Sequence, residues 1–216
     1  MPARGGSKRL PGKNIMKLGN IPLIGHSINY ALANSTIIDK IIVSTDDIKI
    51  KEVALSYGVE VVDRPTKFSG DKSPTLEAVK HVLDTEKTLW KNVILLQPTN
   101  PLRPEILLSK AYDKFISGDF KSLFTVSKTC RKFGIIEKES FKPYNYKFGE
   151  RSQDIEKLYF ENGLLYITKT SLIQQNILID EHAFPFEISH SFANVDIDTK
   201  EDFEYAEYLY GKYNGS

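Results

Sequence analysis

The stretch KIIVSTDDIKIKEVALSYGVEVV, residues 40–62, decides the fold class of this chain. Residues 40–44 are rich in β-branched apolar side chains, which predicts a strand. Residues 47–57 then place apolar side chains at helical spacing, and residues 59–62 return to a strand pattern. A strand, a helix and a strand in succession are typical of an α/β sheet with parallel strands.

The same alternation runs along the rest of the chain. Strand-like runs lie at residues 40–44, 59–62, 92–96, 122–126, 164–167 and 194–197. Helical patterns lie at residues 23–32, 47–57, 75–83, 104–116 and 200–213. We therefore expect an α/β sandwich with a mostly parallel sheet. Ligands bind beyond the carboxyl ends of strands in such sheets, which directs attention to the loops at 44–47, 64–75 and 97–103.

Composition limits the class of protein. The 216 residues carry 29 Lys and Arg against 28 Asp and Glu, a formal net charge of +1 that argues against general attraction to nucleic acid or an anionic membrane. A single cysteine, Cys130, excludes an intrachain disulfide, and the four histidines lack zinc spacing. No apolar run is long enough to span a bilayer. We expect a cytoplasmic protein without nucleic-acid or membrane partners.

Phosphate-binding chemistry is concentrated in residues 1–14, MPARGGSKRLPGKN. Glycines let backbone N–H groups approach an anion, and Arg4, Lys8, Arg9 and Lys13 can neutralise phosphate charge. The spacing is not that of a Walker loop, because no Ser or Thr follows Lys13, and G-x-G-x-x-G is absent as well. On spacing alone, a basic surface loop remains the alternative.

Six blocks in order along nearly the whole chain resemble the N-acylneuraminate cytidylyltransferase family, the CMP-sialic acid synthetases. They are RGGSKRLPGKN (4–14), STDD (44–47), RP with SGD and Thr75 (64–75), LLQPTNPLR (95–103), ENG with Tyr166 (161–166) and DIDT with ED (196–202). The resemblance implies a Rossmann-like three-layer sandwich of the nucleotide-diphospho-sugar transferase type. It also implies a catalytic domain of residues 1–127 and 162–214, with residues 128–161 as an arm for dimerisation and sugar binding.

That family transfers CMP from CTP to the anomeric hydroxyl of a nonulosonic acid, a nine-carbon 2-keto sugar acid, and releases pyrophosphate. By resemblance, the nucleotide is bound by Arg4, Gly5, Ser7, Lys8, Lys13, Asn14, Arg64 and Thr75. Arg64 and Thr75 are expected to read cytosine, and Lys13 to stabilise the pyrophosphate leaving group. The expected catalytic residues are Arg4, Lys8, Lys13 and Asp198.

Asp196 and Asp198 lie one residue apart at the end of a predicted strand, so their side chains share one side of the backbone. Carboxylate oxygens at this spacing suit Mg²⁺, and the resemblance favours metal binding over the alternative that one of them caps the following helix. We expect Mg²⁺ as the cofactor, with Asp198 as a ligand or proton acceptor. By resemblance, the sugar is bound by Gln97, Arg151, Gln153 and Tyr166.

Two departures from the family pattern leave alternatives. Ser152 separates Arg151 from Gln153 where many relatives read Arg-Gln-Asp, so a solvated arm residue is the alternative for Arg151. Relatives begin with an apolar strand where this sequence has only Met1, so we expect a missing first strand, from truncation or a mis-assigned start.

The motifs leave the substrate open among N-acetylneuraminate, legionaminate and pseudaminate. A CMP-Kdo synthetase and a non-catalytic nucleotide-binding module remain alternatives. The aromatic residues of segment 128–161 are expected to pack on a second subunit, and the resemblance implies a homodimer.

Overall fold

The computed structural model describes residues 1–70 and 73–214, which form alternating strands and helices. The strands are β1 Lys17–Leu18, β2 Ile21–Pro22, β3 Ile42–Thr45, β4 Glu60–Asp63, β5 Asn92–Leu95, β6 Ser122–Thr129, β7 Gly134–Glu137, β8 Ser140–Pro143, β9 Leu158–Lys169 and β10 Phe184–Glu187. The helices are α1 Leu23–Leu32, α2 Ile48–Ser56, α3 Thr75–Thr85, α4 Leu107–Ser117, α5 Thr170–Gln174 and α6 Lys200–Asn214. Short 3-10 turns lie at Lys13–Ile15, Thr66–Phe68 and Ser191–Asn194.

The main sheet is mixed. Its strand order is β10-β6-β9-β5, in which β10 runs parallel to β6 while β9 runs antiparallel to both β5 and β6. A separate pair, β3 and β4, is parallel. The predicted α/β class with a mostly parallel sheet is confirmed: β5, β6 and β10 run in one direction, and β9, which follows the β7–β8 hairpin segment, runs against them.

Helices cover both faces of the main sheet. Leu165 and Ile167 of β9 belong to the same buried cluster as Phe115 of α4. Tyr166, which points to the opposite face, packs instead with Val79 of α3. This alternation is the two-residue period of a strand buried on both sides, and it gives the three-layer sandwich.

Most predicted elements agree with the structure to within a few residues. Helix α1 covers the predicted residues 23–32. Helix α2 begins after Asp47, whose carboxylate accepts hydrogen bonds from the N–H groups of Lys49 and Ile50 at 2.8 and 3.0 Å and caps the helix. Helix α4 begins at Leu107 rather than residue 104, because the first residues of the predicted helix form a turn.

The predicted strand at residues 194–197 is wrong. The N–H of Ile197 donates to the carbonyl oxygen of Thr99 at 2.8 Å, whereas the carbonyl of Val195 accepts from the side chain of Asn100. The Asn100 side chain therefore occupies the Val195 carbonyl to which a neighbouring strand would donate, and no β-ladder forms here. The alternation of residues 194–197 reflects burial of Val195 and Ile197 alone.

Residues 1–3 lie beside β3. The Ala3 N–H donates to the Ser44 carbonyl and the Ser44 N–H donates to the Met1 carbonyl, each at 2.9 Å, and the Met1 amine donates to Ile42 at 2.8 Å. A cavity of about 360 Å³ separates this edge from β5 and is lined by side chains that include Ile42 and Val93. Residues 1–3 thus pair with the edge of β3 beside which a first strand is expected.

Strands β7 and β8 form an antiparallel hairpin within segment 128–161. Asn145 braces its base, because its side chain accepts from the Phe133 N–H at 2.7 Å and donates to the Arg131 carbonyl at 3.0 Å. The segment exposes apolar side chains, with Ile136 78% and Phe148 72% exposed. None of the helices in the described part of the chain combines the length and apolarity needed to cross a bilayer.

Candidate functional site

A cavity of about 490 Å³ lies beyond the carboxyl ends of β4 and β5. The opening loop, the start of α3 and the loop after β5 surround it. Nine of the predicted site residues line it: Arg4, Ser7, Lys8, Lys13, Asn14, Arg64, Thr75, Gln97 and Asp198. Arg9, which carried no predicted role beyond its charge, lines it as well.

Asn14 and Gly5 fix the shape of the opening loop. The buried Asn14 side chain donates to the Arg4 carbonyl at 2.9 Å, so it supports the loop from within. The Gly5 N–H donates to the Asp46 carboxylate at 3.0 Å, and a Cβ at Gly5 would lie 2.5 Å from a carboxylate oxygen of Asp47. Gly5 therefore allows the loop to approach the start of α2, which no larger residue permits.

Arg64 and Thr75 face the cavity from different elements. The buried Arg64 guanidinium donates to the Ser44 hydroxyl at 3.1 Å and also to the Ser44 carbonyl. Burial lowers the pKa of Arg64, an effect that the charge of Asp46 partly offsets. Thr75 is the first residue of α3, where the helix end carries partial positive charge. Asp71, which belongs to the same predicted block, lies outside the described residues.

Thr199 and Asp202 cap α6. The Asp202 carboxylate accepts from the Thr199 N–H at 2.8 Å, and the Thr199 hydroxyl accepts from the Asp202 N–H at 3.2 Å. The Asp202 carboxylate also accepts from the Asp198 N–H at 3.0 Å. Desolvation raises the pKa of Asp202, but the hydrogen bonds that its carboxylate accepts, together with the charge of Arg9, outweigh this effect and lower the pKa. The capping alternative for Asp196 and Asp198 is thereby excluded, because the cap is made by other side chains.

Both carboxylate oxygens of Asp198 have cationic partners. Lys13 Nζ donates to Oδ1 at 2.8 Å and to the Ile197 carbonyl at 2.6 Å. Arg9 donates to Oδ2 from the other side. The opening loop and the DIDT block, separated by more than 180 residues, therefore meet at one carboxylate.

Asp196 and Tyr166 extend this polar region away from the cavity. The Tyr166 hydroxyl donates to Glu161 at 2.5 Å and is also bonded to Gln97. Desolvation, followed by the Glu161 hydrogen bond, raises the pKa of Tyr166. Asp196 is exposed as a residue, but neighbouring atoms partly desolvate its carboxylate. This desolvation, together with the charge of Asp198, raises the pKa of Asp196.

Arg151 and Gln153 are not brought to the cavity within the single chain. Both are exposed in segment 128–161, and Arg151 Nε donates to the Asp154 carboxylate at 2.7 Å.

Two buried side chains of the 95–103 block, Asn100 and Arg103, have structural roles that no motif in the sequence predicted. Arg103 donates to the carbonyls of Leu164 and Gln97 at 2.7 and 2.8 Å and to the Ser27 hydroxyl at 2.9 Å, so it holds the backbone of a predicted sugar-binding residue. Burial lowers the pKa of Arg103 to about 10. The block was found by its motif, but the burial of Arg103 and Asn100 depends on distant elements.

Asp196 and Asp198 are the carboxylates that the sequence assigned to a divalent cation. Across residues 1–70 and 73–214, no cluster of three or more His, Cys, Asp or Glu side chains could hold a metal by itself. Magnesium is ordinarily held by one or two carboxylates together with substrate phosphates and water. Asp196 and Asp198 would therefore need nucleotide phosphates to complete a Mg²⁺ site, and a metal at Asp198 would compete with Lys13 or Arg9.

Comparison with known proteins identifies the family of this chain. The sequence profile of the family described as Cytidylyltransferase matches residues 1–214. A pseudaminic acid cytidylyltransferase of Campylobacter jejuni subsp. jejuni is 36% identical over 97% of this chain and 94% of that protein. A CMP-N,N'-diacetyllegionaminic acid synthase of Legionella pneumophila subsp. pneumophila is 32% identical over 97% and 94%.

An N-acylneuraminate cytidylyltransferase of Streptococcus agalactiae is 32% identical over 94% of this chain and 50% of that protein. Among solved structures, a CMP:2-keto-3-deoxy-manno-octonic acid synthetase complexed with CTP superposes with a TM-score of 0.76 over 98% of this chain and 97% of that one. Its sequence identity is 16%, so the likeness concerns the fold.

Proposed function

The chain belongs to the cytidylyltransferase family and is a nucleotidyltransferase, and from this premise we propose that it transfers CMP from CTP to the anomeric hydroxyl of a nonulosonic acid. The observation that carries the proposal is the cavity itself, where basic side chains of the opening loop face Gln97 and Asp198. The names of the relatives support this sugar class, and the C. jejuni protein puts pseudaminate first among the substrates to test.

The opening loop would bind the triphosphate. Arg4, Ser7, Lys8 and Lys13 all line the cavity, and N–H groups of the loop add donors that need no side chain. Negative charge accumulates on the phosphates as the bond to pyrophosphate breaks, so fixed cations stabilise that state more than the ground state. Lys13 is the best placed of these cations, because it is buried and held between Asp198 and the Ile197 carbonyl.

The reaction forms one P–O bond and breaks another. The anomeric oxygen attacks the α-phosphorus, the bond to the pyrophosphate oxygen breaks, and the hydroxyl proton leaves. Asp198, which lines the cavity, is the carboxylate that could accept the proton. Magnesium held by Asp196 and Asp198 with the phosphates would supply further charge neutralisation.

The sugar would lie toward Gln97 and Tyr166, whose side chains are hydrogen-bonded to each other beside the cavity. Arg151 and Gln153 can bind the sugar only if segment 128–161 reaches the cavity of a second subunit. We infer a homodimer in which each segment approaches the partner's sugar site. The exposed apolar side chains of the hairpin support this arrangement, because such surface is normally covered in a stable assembly.

Pyrophosphate release tests the function. The protein would be incubated with CTP, Mg²⁺ and each of pseudaminate, legionaminate, N-acetylneuraminate and 2-keto-3-deoxy-octonate. We expect release with at least one nine-carbon sugar, and a loss of about 100-fold or more in Lys13→Met against little change in the exposed Lys17→Met control. Binding of CTP without release on any sugar would instead favour a non-catalytic nucleotide-binding module.

Light scattering tests the homodimer. The native protein should have the mass of two chains at micromolar concentration, and Ile136→Asp should shift it toward one chain because a charge would be buried at the interface. Ser140→Asp, on the exposed neighbouring strand, serves as the control. A native protein that is monomeric under these conditions would contradict the proposal.

A further inference from the structure

Asp198 is both a proposed metal ligand and the centre of an ion-pair cluster. Its Oδ1 accepts from Lys13 at 2.8 Å and its Oδ2 accepts from Arg9. We call these two contacts the Asp198 clamp. A divalent cation bound to either oxygen would have to share that oxygen with a positively charged nitrogen, which Coulomb repulsion opposes.

The two halves of the clamp differ in how firmly they hold. The Lys13 side chain is only 8% exposed and has a second acceptor in the Ile197 carbonyl. The Arg9 side chain is 67% exposed, and an ion pair so open to water contributes little and is easily exchanged. Arg9 is therefore the partner that another anion would remove from Asp198 first.

Arg9 and Lys13 also line the cavity proposed for the triphosphate. A triphosphate carries several negative charges. Its phosphate oxygens can accept two parallel hydrogen bonds from one guanidinium, which is the geometry that Arg prefers. The same cations that pair with Asp198 are thus within the space that the nucleotide would fill.

We propose that Arg9 couples nucleotide binding to metal binding: it occupies Asp198 in the free protein, and the triphosphate draws it away so that the carboxylate can accept a divalent cation. This inference rests on the proposed function, because it takes the cavity to be a triphosphate site. Since coupling between two ligands is reciprocal, CTP raises the affinity for the metal and the metal raises the affinity for CTP.

The test uses Mn²⁺ as the probe, with the free ion followed by electron paramagnetic resonance and no nucleotide present. Arg9→Gln removes the charge at an exposed position, so its melting temperature should match that of the native protein. We expect it to bind Mn²⁺ roughly twofold to fivefold more tightly than the native protein. Arg131→Gln, which removes the same charge from an exposed position after β6, should leave the affinity unchanged.

The double variant Arg9→Gln, Asp198→Asn locates the effect. It should lose the affinity gained in Arg9→Gln, and Arg9→Lys should stay close to the native protein because the charge remains. Added CTP, referenced to CTP and Mn²⁺ without protein, should increase the affinity of the native protein more than that of Arg9→Gln. Equal Mn²⁺ affinity in native protein and Arg9→Gln, or a gain that persists in the double variant, would overturn the inference.

Turnover separates this inference from the proposed function. Pyrophosphate release by a protein whose Mn²⁺ affinity does not respond to Arg9→Gln overturns the coupling alone. The expected Mn²⁺ response without release on any sugar overturns the proposed reaction alone.

Discussion

Asn100 donates a hydrogen bond from its side-chain nitrogen to the carbonyl oxygen of Val195 at 2.7 Å, and another to the Asn162 carbonyl at 3.1 Å. The side chain is 1% exposed. Because Val195 directly precedes Asp196, these bonds hold the segment that carries Asp196 and Asp198 against the loop that follows β5.

Replacing Asn100 by Asp should destabilise the fold by about 3 kcal/mol or more, because a carboxylate cannot donate to the two carbonyls and would be buried beside them. The free energy of unfolding in urea measures this. Asn20→Asp makes the same change at an exposed position and should cost little. Equal losses in the two variants would show that the Asn100 bonds do not matter.

Gly5→Ala should lower both stability and CTP affinity, whereas Gly6→Ala should change neither. A Cβ at Gly5 would lie 2.5 Å from Asp47 Oδ2, while one at Gly6 meets nothing within 4 Å. The displaced Asp47 would weaken its cap on α2, at a cost of about 1 to 2 kcal/mol. Thermal melts and CTP titrations of the pair check this, and indistinguishable variants would contradict the close approach.

A polypeptide that starts at Met1 should gain stability as the pH rises from about 5 to 8. Burial, followed by the charges of Arg64 and Arg103, lowers the pKa of the Met1 amine from 8.0 to about 5. Between these values the unfolded chain binds the additional proton, so raising the pH favours the folded state, by at most about 4 kcal/mol.

Acetylation of the amine provides the control for this effect. The acetylated chain keeps an N–H for the Ile42 carbonyl but has no titrating amine. The difference in unfolding free energy between the two proteins should therefore shrink from pH 5 to pH 8. Parallel pH profiles would refute the role of the amine.

Tyr166→Phe should raise KM for the sugar roughly threefold to tenfold with little effect on KM for CTP. The substitution removes the hydroxyl that joins Glu161 to Gln97, and its neutral hydrogen bond with the Gln97 amide is worth about 1 kcal/mol. Tyr159→Phe, on an exposed position of the same strand, is the matched control. A rise in KM for CTP alone would place Tyr166 on the nucleotide side instead.

Local signals in the sequence determined the elements and the family. The apolar spacing of residues 23–32 and 47–57 predicted α1 and α2, and the ordered motif blocks predicted a cytidylyltransferase. These signals are local because capping, periodicity and loop chemistry depend on residues a few positions apart.

Only the tertiary structure decided which partners these residues have. Residues 194–197 read as a strand, yet the Asn100 side chain takes the acceptor at Val195, and Thr199 with Asp202 rather than Asp198 caps α6. The contact between Arg9 and Asp198 spans 189 residues of sequence. Such pairings arise when the sheet brings distant strand ends to one edge, and no periodicity in the chain encodes them.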